Sequence, residues 1–347
     1  MLVDSPSQQR AETAPAPPAR RAVRALGLVA AAGLLALVAL ASIAIGAKEL
    51  TLAQVWHGLF QSTGSYGDVV VDERLSRTVL GLLVGAALGL AGAVLQALTR
   101  NPLADPGLLG INAGASAAVV TAMTFFGVSS VSGYVWFAFA GAAAVGALVW
   151  FLGGSRGATP VRLALAGTAI SAALYGYLQA VMITDDAALG KMRFWTVGSL
   201  ATATDTTILQ VLPFLGAGMV LALLLARPLN AVEMGDDTAR ALGANLNRTR
   251  ALSMLAATLL CGAATAACGP IVFVGLMVPH VVRSFTGPDL RWILPYAAVL
   301  SPVLLLGSDV VGRIVARPAE LQVGVVTAVI GGPVFILLVR RRRTAQL

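Results

Sequence analysis

Apolar runs long enough to cross a bilayer recur along nearly the whole chain, and no other feature constrains its fold as strongly. They occupy residues 24–46, 75–98, 107–127, 131–152, 161–183, 206–226, 251–268, 292–312 and 322–339, most of them close to the ~20 residues a helix needs to span hydrocarbon. Backbone amides in that solvent must be satisfied within the segment, so the runs are read as helices. Of the 347 residues, 57% are apolar and only 12% charged, and the mean hydropathy is +0.83, outside the balance of soluble domains. The formal charge of +8 does not point to nucleic acid. Lys and Arg are scattered over short loops and both ends instead of gathering on one soluble face.

A further apolar piece, "PIVFVGLMVPHVV" at 270–282, is too short to assign by length, yet it sets the parity of the chain. If it crosses, ten spans put both termini on one side, and that side holds seventeen of the 24 Lys and Arg against seven on the other. The excess of positive charge makes that side the cytoplasm. With nine spans, Arg340 to Arg343 would lie outside. The expected protein is therefore all-α and multi-pass in the plasma membrane, with both termini cytoplasmic. A proline-bearing disordered tail at 1–22 precedes a membrane domain at 23–343, which contains a cytoplasmic loop at 227–250, and residues 344–347 form a second tail. The first apolar run lacks the pattern of a cleaved leader.

This orientation puts Arg74, Arg77, Arg313 and Arg317 outside, where arginine is disfavoured. Snorkelling to the headgroups explains a single such residue, whereas a cluster reads as an exposed docking surface for an acidic partner. On the inner face, "RPLNAVEMGDDTARALGANLNRTR" mixes both charge signs, and Gly235 and Gly243 predict two short helices joined by bends. Gly81, Gly85 and Gly89 form a stripe that lets a neighbouring helix approach closely. Pro102, Pro106 and Gly107 predict a turn.

Residues with chemistry are sparse, and no catalytic group is expected. No carboxylate falls at mid-span, which argues against a proton- or sodium-coupled carrier. His57 and His280 lack the company needed for a metal site or an intramembrane enzyme. Cys261 and Cys268 stand roughly 10 Å apart along a helix, too far for a disulfide, and are read as packing residues. A phosphate-binding loop needs Gly-Lys-Ser or Gly-Lys-Thr. The only lysines are Lys48, followed by Glu49, and Lys191, followed by Met192, so any ATPase must be a separate subunit. No cofactor or metal is expected on this chain.

Four stretches together resemble the FecCD family, the permease subunits of type II ABC importers for iron-siderophores, haem and cobalamin. They are "RLSRTVLGLLVGAALGLAGAVLQALTRNPLADPGLLGINAGAS" at 74–116, "FWTVGSL" at 194–200, "GPIVFVGLMVPHVVR" at 269–283 and "AELQVGVVTAVIGGPVFILLVRR" at 319–341. The resemblance implies the type II permease fold and a second permease subunit, identical or homologous. It also implies two ATPase subunits that use ATP and Mg, an extracytoplasmic solute-binding protein and a metal-chelate substrate. By resemblance, Arg74, Arg77 and Arg313 meet glutamates of the binding protein. Glu233, Gly235, Arg240, Leu242 and Gly243 belong to the elbow that seats on the ATPase, and Thr159 and Pro160 of "SRGATPV" belong to a cytoplasmic gate. Ferric siderophore is the expected cargo, with haem and cobalamin open.

Overall fold

The computed structural model describes residues 18–61, 64–128, 130–154 and 160–344. In chain order these form α1 (Pro18–Ala44), α2 (Leu52–Phe60), α3 (Tyr66–Thr99), a 3-10 turn (Pro106–Leu109), α4 (Ile111–Phe125), α5 (Val131–Gly154) and α6 (Pro160–Thr184). There follow α7 (Asp186–Trp195), α8 (Asp205–Leu224), α9 (Ala226–Glu233), α10 (Asp236–Ala241), α11 (Leu246–Cys268), α12 (Val274–Thr286), α13 (Leu290–Val315) and α14 (Val323–Thr344). The architecture is all-helical. Seven helices, α1, α3, α5, α6, α8, α11 and α13, are long and apolar enough to cross a membrane. α4 and the Val323–Leu337 part of α14 are shorter apolar helices, and α12 has 13 residues. These ten follow the ten expected spans. The helix that opens the domain begins at Pro18, inside the expected tail; residues 1–17 and 345–347 lie outside the described residues.

α3 and α11 form the centre. In each, 78% of the apolar window is buried, against 17% for α1 and for α6. α3 earns that place through its small residues. Its glycine stripe meets α13: a side chain on Gly81 would run into Leu306, one on Gly85 into Pro302, and one on Gly89 into Ser301. Close backbone approach of this kind drives helix association in lipid. α3 also starts earlier than the apolar run, because Ser65 and Asp68 form a capping box ahead of it. Its 34 residues extend roughly 50 Å, longer than the hydrocarbon core, and carry Arg74 and Arg77 in the overhanging part.

The short segment at 270–282 crosses by a different device. Only Val274–Thr286 is helical, roughly 20 Å of rise; the residues before it run non-helically, with φ +74° at Gly269 and +69° at Phe273. Irregular backbone at that depth must be buried in protein. Ser199 N donates to Cys268 O at 2.8 Å, and Gly324 N donates to Gly198 O at 3.1 Å. A Cβ on Gly324 would overlap the Val197 carbonyl oxygen. Three of the four quoted motifs thus meet at one crossing, which gives their residues a shared physical purpose.

Candidate functional site

Two charged constellations occupy opposite ends of the bundle. The first lies where α1 and α13 finish and α14 begins. Arg74 Nη1 donates to the carbonyls of Ile43 and Ala44 at 3.1 and 3.0 Å, and its Nη2 donates to Lys48 O. It therefore caps the last carbonyls of α1, which helix geometry leaves without partners. Arg77 grips Asp309 Oδ1 through Nε and Nη2 at 3.1 and 2.7 Å, and Glu320 Oε2 through Nη1 at 2.6 Å. Arg313 donates to Ser42 O and Ser42 Oγ, both at 2.9 Å, and lies 3.0 Å from Asp309 Oδ2.

The expectation of exposed cations is corrected here. Arg74, Arg77 and Arg313 are 6%, 8% and 1% exposed, and Asp309 is fully buried. The physical reason is reach: long guanidinium stems fold back onto carbonyls and carboxylates that are remote in sequence. The three still line a small cavity of about 190 Å³, together with Lys48, Tyr66, Glu73 and Glu320. Lys48 sits over the Tyr66 ring, 4.5 Å from its centroid. Arg317, also expected on this face, pairs with Glu49 at 2.8 Å.

The second constellation is the elbow built by α9 and α10. The two short helices and the bends at Gly235 (φ +112°) and Gly243 (φ +79°) appear where the glycines predict them. Glu233 does not face outward; it pairs with Arg283 of α12 at 2.8 Å, both largely buried. Asp236 accepts from Arg100, just past α3, and from Arg250 of α11, the latter at 2.7 Å. Arg100 Nε also donates to Val232 O at 2.7 Å. Asn230 donates to Asp289 Oδ1 at 2.8 Å and accepts from Leu290 N at 2.9 Å. The elbow is therefore tied to the ends of α3, α11, α12 and α13. Its outward groups include Met234 and Leu242, 61% and 64% exposed, and the pair Arg240–Asp237 of one helix, 3.1 Å apart.

Two carboxylates of the elbow are tuned in opposite directions. Burial raises Glu233, and Arg283 offsets only part of that rise. Burial also acts to raise Asp236, but hydrogen bonds from Arg100 and Arg250 outweigh it and hold its carboxyl below the usual range. Sequence reasoning missed Asn230, Asp236, Arg100, Arg250 and Arg283. The only signal for the four ionisable ones was charge of both signs near helix ends, and the neutral Asn230 gave none. Thr159 lies outside the described residues, and Pro160 is placed only as the first residue of α6. Among the described residues no group of three His, Cys, Asp or Glu is arranged to hold a metal ion.

The sequence pattern of the FecCD transport family matches residues 34–341. The chain is 48% identical over 322 residues to the ferric enterobactin transport system permease protein FepD of Escherichia coli (strain K12), covering 90% of this chain and 96% of that one. It is 37% identical over 316 residues to the hemin transport system permease protein HmuU of Yersinia pestis, covering 89% and 94%. Among solved structures it is similar to an inward-facing metal-chelate type ABC transporter, with TM-score 0.80 and 28% identity over 90% of this chain and 98% of that one.

Proposed function

The chain belongs to the FecCD transport family, and from that premise we propose that it is the membrane-spanning permease subunit of an ATP-driven importer whose cargo is a ferric siderophore. The observation that carries this reading is the elbow, a pair of short helices tied to four longer ones and presenting Met234 and Leu242 outward. A separate ATPase pushing there moves α3, α11, α12 and α13 together. The charge bias of the loops makes the elbow end cytoplasmic, with both termini on that side. The 48% identity to a ferric enterobactin permease favours a siderophore over haem or cobalamin.

A second permease subunit is supported by α6. Its Thr168, Ala172, Tyr175, Gly176 and Gln179 share one exposed face, too polar and too small-sided for lipid. That face suits a partner helix or a watered pathway between two copies.

The arginine cavity is the docking site for a solute-binding protein. Arg74, Arg77, Arg313 and Lys48 stand against Glu73, Glu320 and Asp309, so one positive charge is left to meet an incoming carboxylate. Buried Asp309 is the permanent counter-ion. Glu320, with its side chain 35% exposed, holds Arg77 through a single oxygen and is the group that a partner's glutamate would displace. Transport then needs no chemistry on this chain. Nucleotide states of the motor shift the balance between outward- and inward-open arrangements.

The test is reconstitution in proteoliposomes with the ATPase and binding protein. Uptake of labelled ferric siderophore is expected to require ATP and to be competed by unlabelled ferric siderophore, not by haem or cobalamin. Uptake that persists without the ATPase overturns the permease reading, and stronger competition by haem or cobalamin overturns the cargo.

A further inference from the structure

We infer that the elbow end carries a binding site for an anionic phospholipid, centred on Arg227. Two grooves flank this residue. One, of about 780 Å³, runs beside Leu221, Leu224 and Leu252 and also includes Arg248. The other, of about 500 Å³, runs beside Leu223 and Leu294 and also includes Arg291. Arg227 thus lines both grooves, with Arg248 in one and Arg291, which is paired with Asp289 at 2.9 Å, in the other.

Their depth fits a headgroup. Arg227 follows the last residue of α8 by three positions, Arg248 is in the first turn of α11, and Arg291 is the second residue of α13. All three lie where apolar helices end, and the grooves continue onto Leu223 and Leu224, which are 46% and 71% exposed. Aliphatic walls leading to arginines at the membrane boundary hold acyl chains and phosphate together.

The charge pattern selects the headgroup. No carboxylate lines either groove. By contrast, the neighbouring cavity of about 650 Å³ mixes Arg100, Arg283 and Arg291 with Glu233 and Asp289. Among the described residues neither Arg227 nor Arg248 is in an ion pair. A zwitterionic headgroup would find no carboxylate among the lining residues to pair with its ammonium, whereas a phosphodiester of net negative charge finds two guanidiniums outside any ion pair. The leucine walls distinguish a lipid from a free anion. Leu242 and Gly243 of the elbow line the first groove, so the bound lipid touches the segment that meets the ATPase. The cytoplasmic placement of the site rests on the orientation proposed above; the choice of ligand does not.

Native mass spectrometry of the full chain, titrated with diphosphatidylglycerol, phosphatidylglycerol or phosphatidylethanolamine, tests the site. The wild type is expected to retain an anionic lipid through delipidation and to lose phosphatidylethanolamine. The double variant R227A/R248A should bind the anionic lipids about tenfold more weakly or less, whereas Lys191→Ala, which removes one exposed charge at the opposite end, should match wild type. R227K/R248K, which keeps both charges, should retain most of the binding and guards against misfolding of the alanine variant. Equal lipid retention by wild type and R227A/R248A overturns the proposal. So does displacement of the lipid by millimolar inorganic phosphate, which would mark a simple anion site, or by the ATPase, which would mark these grooves as its seat.

Discussion

Arg77 and Asp309 meet from 232 positions apart, and their pairing redefines what the arginines of α3 are for. Removing one partner of a buried ion pair leaves the other charge uncompensated, a loss of ~3–5 kcal/mol. Asp309→Asn leaves the nearly unexposed Arg313 without a carboxylate partner and Arg77 with Glu320 alone, so a loss of that order is expected in the unfolding of detergent-solubilised protein. Glu320→Gln touches a partly exposed carboxylate and should cost less than about 1 kcal/mol; equal losses for the two would refute the division of labour between them. In docking the order reverses. Glu320→Gln removes the internal occupant of the arginine cavity, so affinity for the binding protein should rise several-fold, whereas Arg74→Ala should weaken it. Unchanged affinity in Glu320→Gln would mean that Glu320 does not compete, while unchanged affinity in Arg74→Ala would remove the docking site itself. Both effects should shrink in high salt.

At the scale of an element, the elbow shows how short helices of 8 and 6 residues acquire a fixed position. Isolated helices of this length are unstable; Val232, Ala239 and Leu246 bury a small core beneath them, and the ion pairs complete the attachment. The opposite shifts of its two carboxylates give a pH signature. The fold holds the Glu233 proton more tightly than the unfolded chain does, so between the ordinary glutamate value and the raised one this residue makes stability fall as pH rises. Asp236 behaves in reverse: its contribution is complete above the ordinary aspartate value and is lost as pH falls through the lowered one. On acidification Glu233 should therefore protonate first, releasing α12 from the elbow while α3 and α11 stay attached. Infrared carboxylic-acid bands assigned with Glu233→Gln and Asp236→Asn check this, and protonation of Asp236 at the higher pH would contradict it. The half-helix α12 makes a related point, since its missing turns are replaced by backbone held against 197–199 and Gly324.

At the scale of the whole molecule, α6 and α1 are the least covered of the long apolar helices, and of these two α6 carries the polar exposed face. α6 has only 17% of its apolar window buried, although its exposed face carries Tyr175 and Gln179. If two copies or two homologous chains pair there, Gln179→Cys should cross-link between subunits in native membranes with a short thiol reagent, whereas Leu209→Cys, on the exposed flank of α8, should not; the reverse pattern would place the partner elsewhere. Much of this architecture was legible in the sequence. Apolar length fixed the spans, charge bias settled the parity that 270–282 left open, and Gly235 and Gly243 announced the elbow, because lipid permits few backbone solutions and glycine readily takes the positive φ of a bend. The sites were legible only as residue types at the right end. That Glu233 turns inward to Arg283, that Arg313 is sealed against Ser42 and Asp309, and that Arg227 stands free between two leucine grooves depend on which helices become neighbours. Hydropathy acts within a segment and can be read along the chain, whereas a long charged side chain commits to whichever partner the packing brings within about 3 Å, and only the tertiary structure decides that.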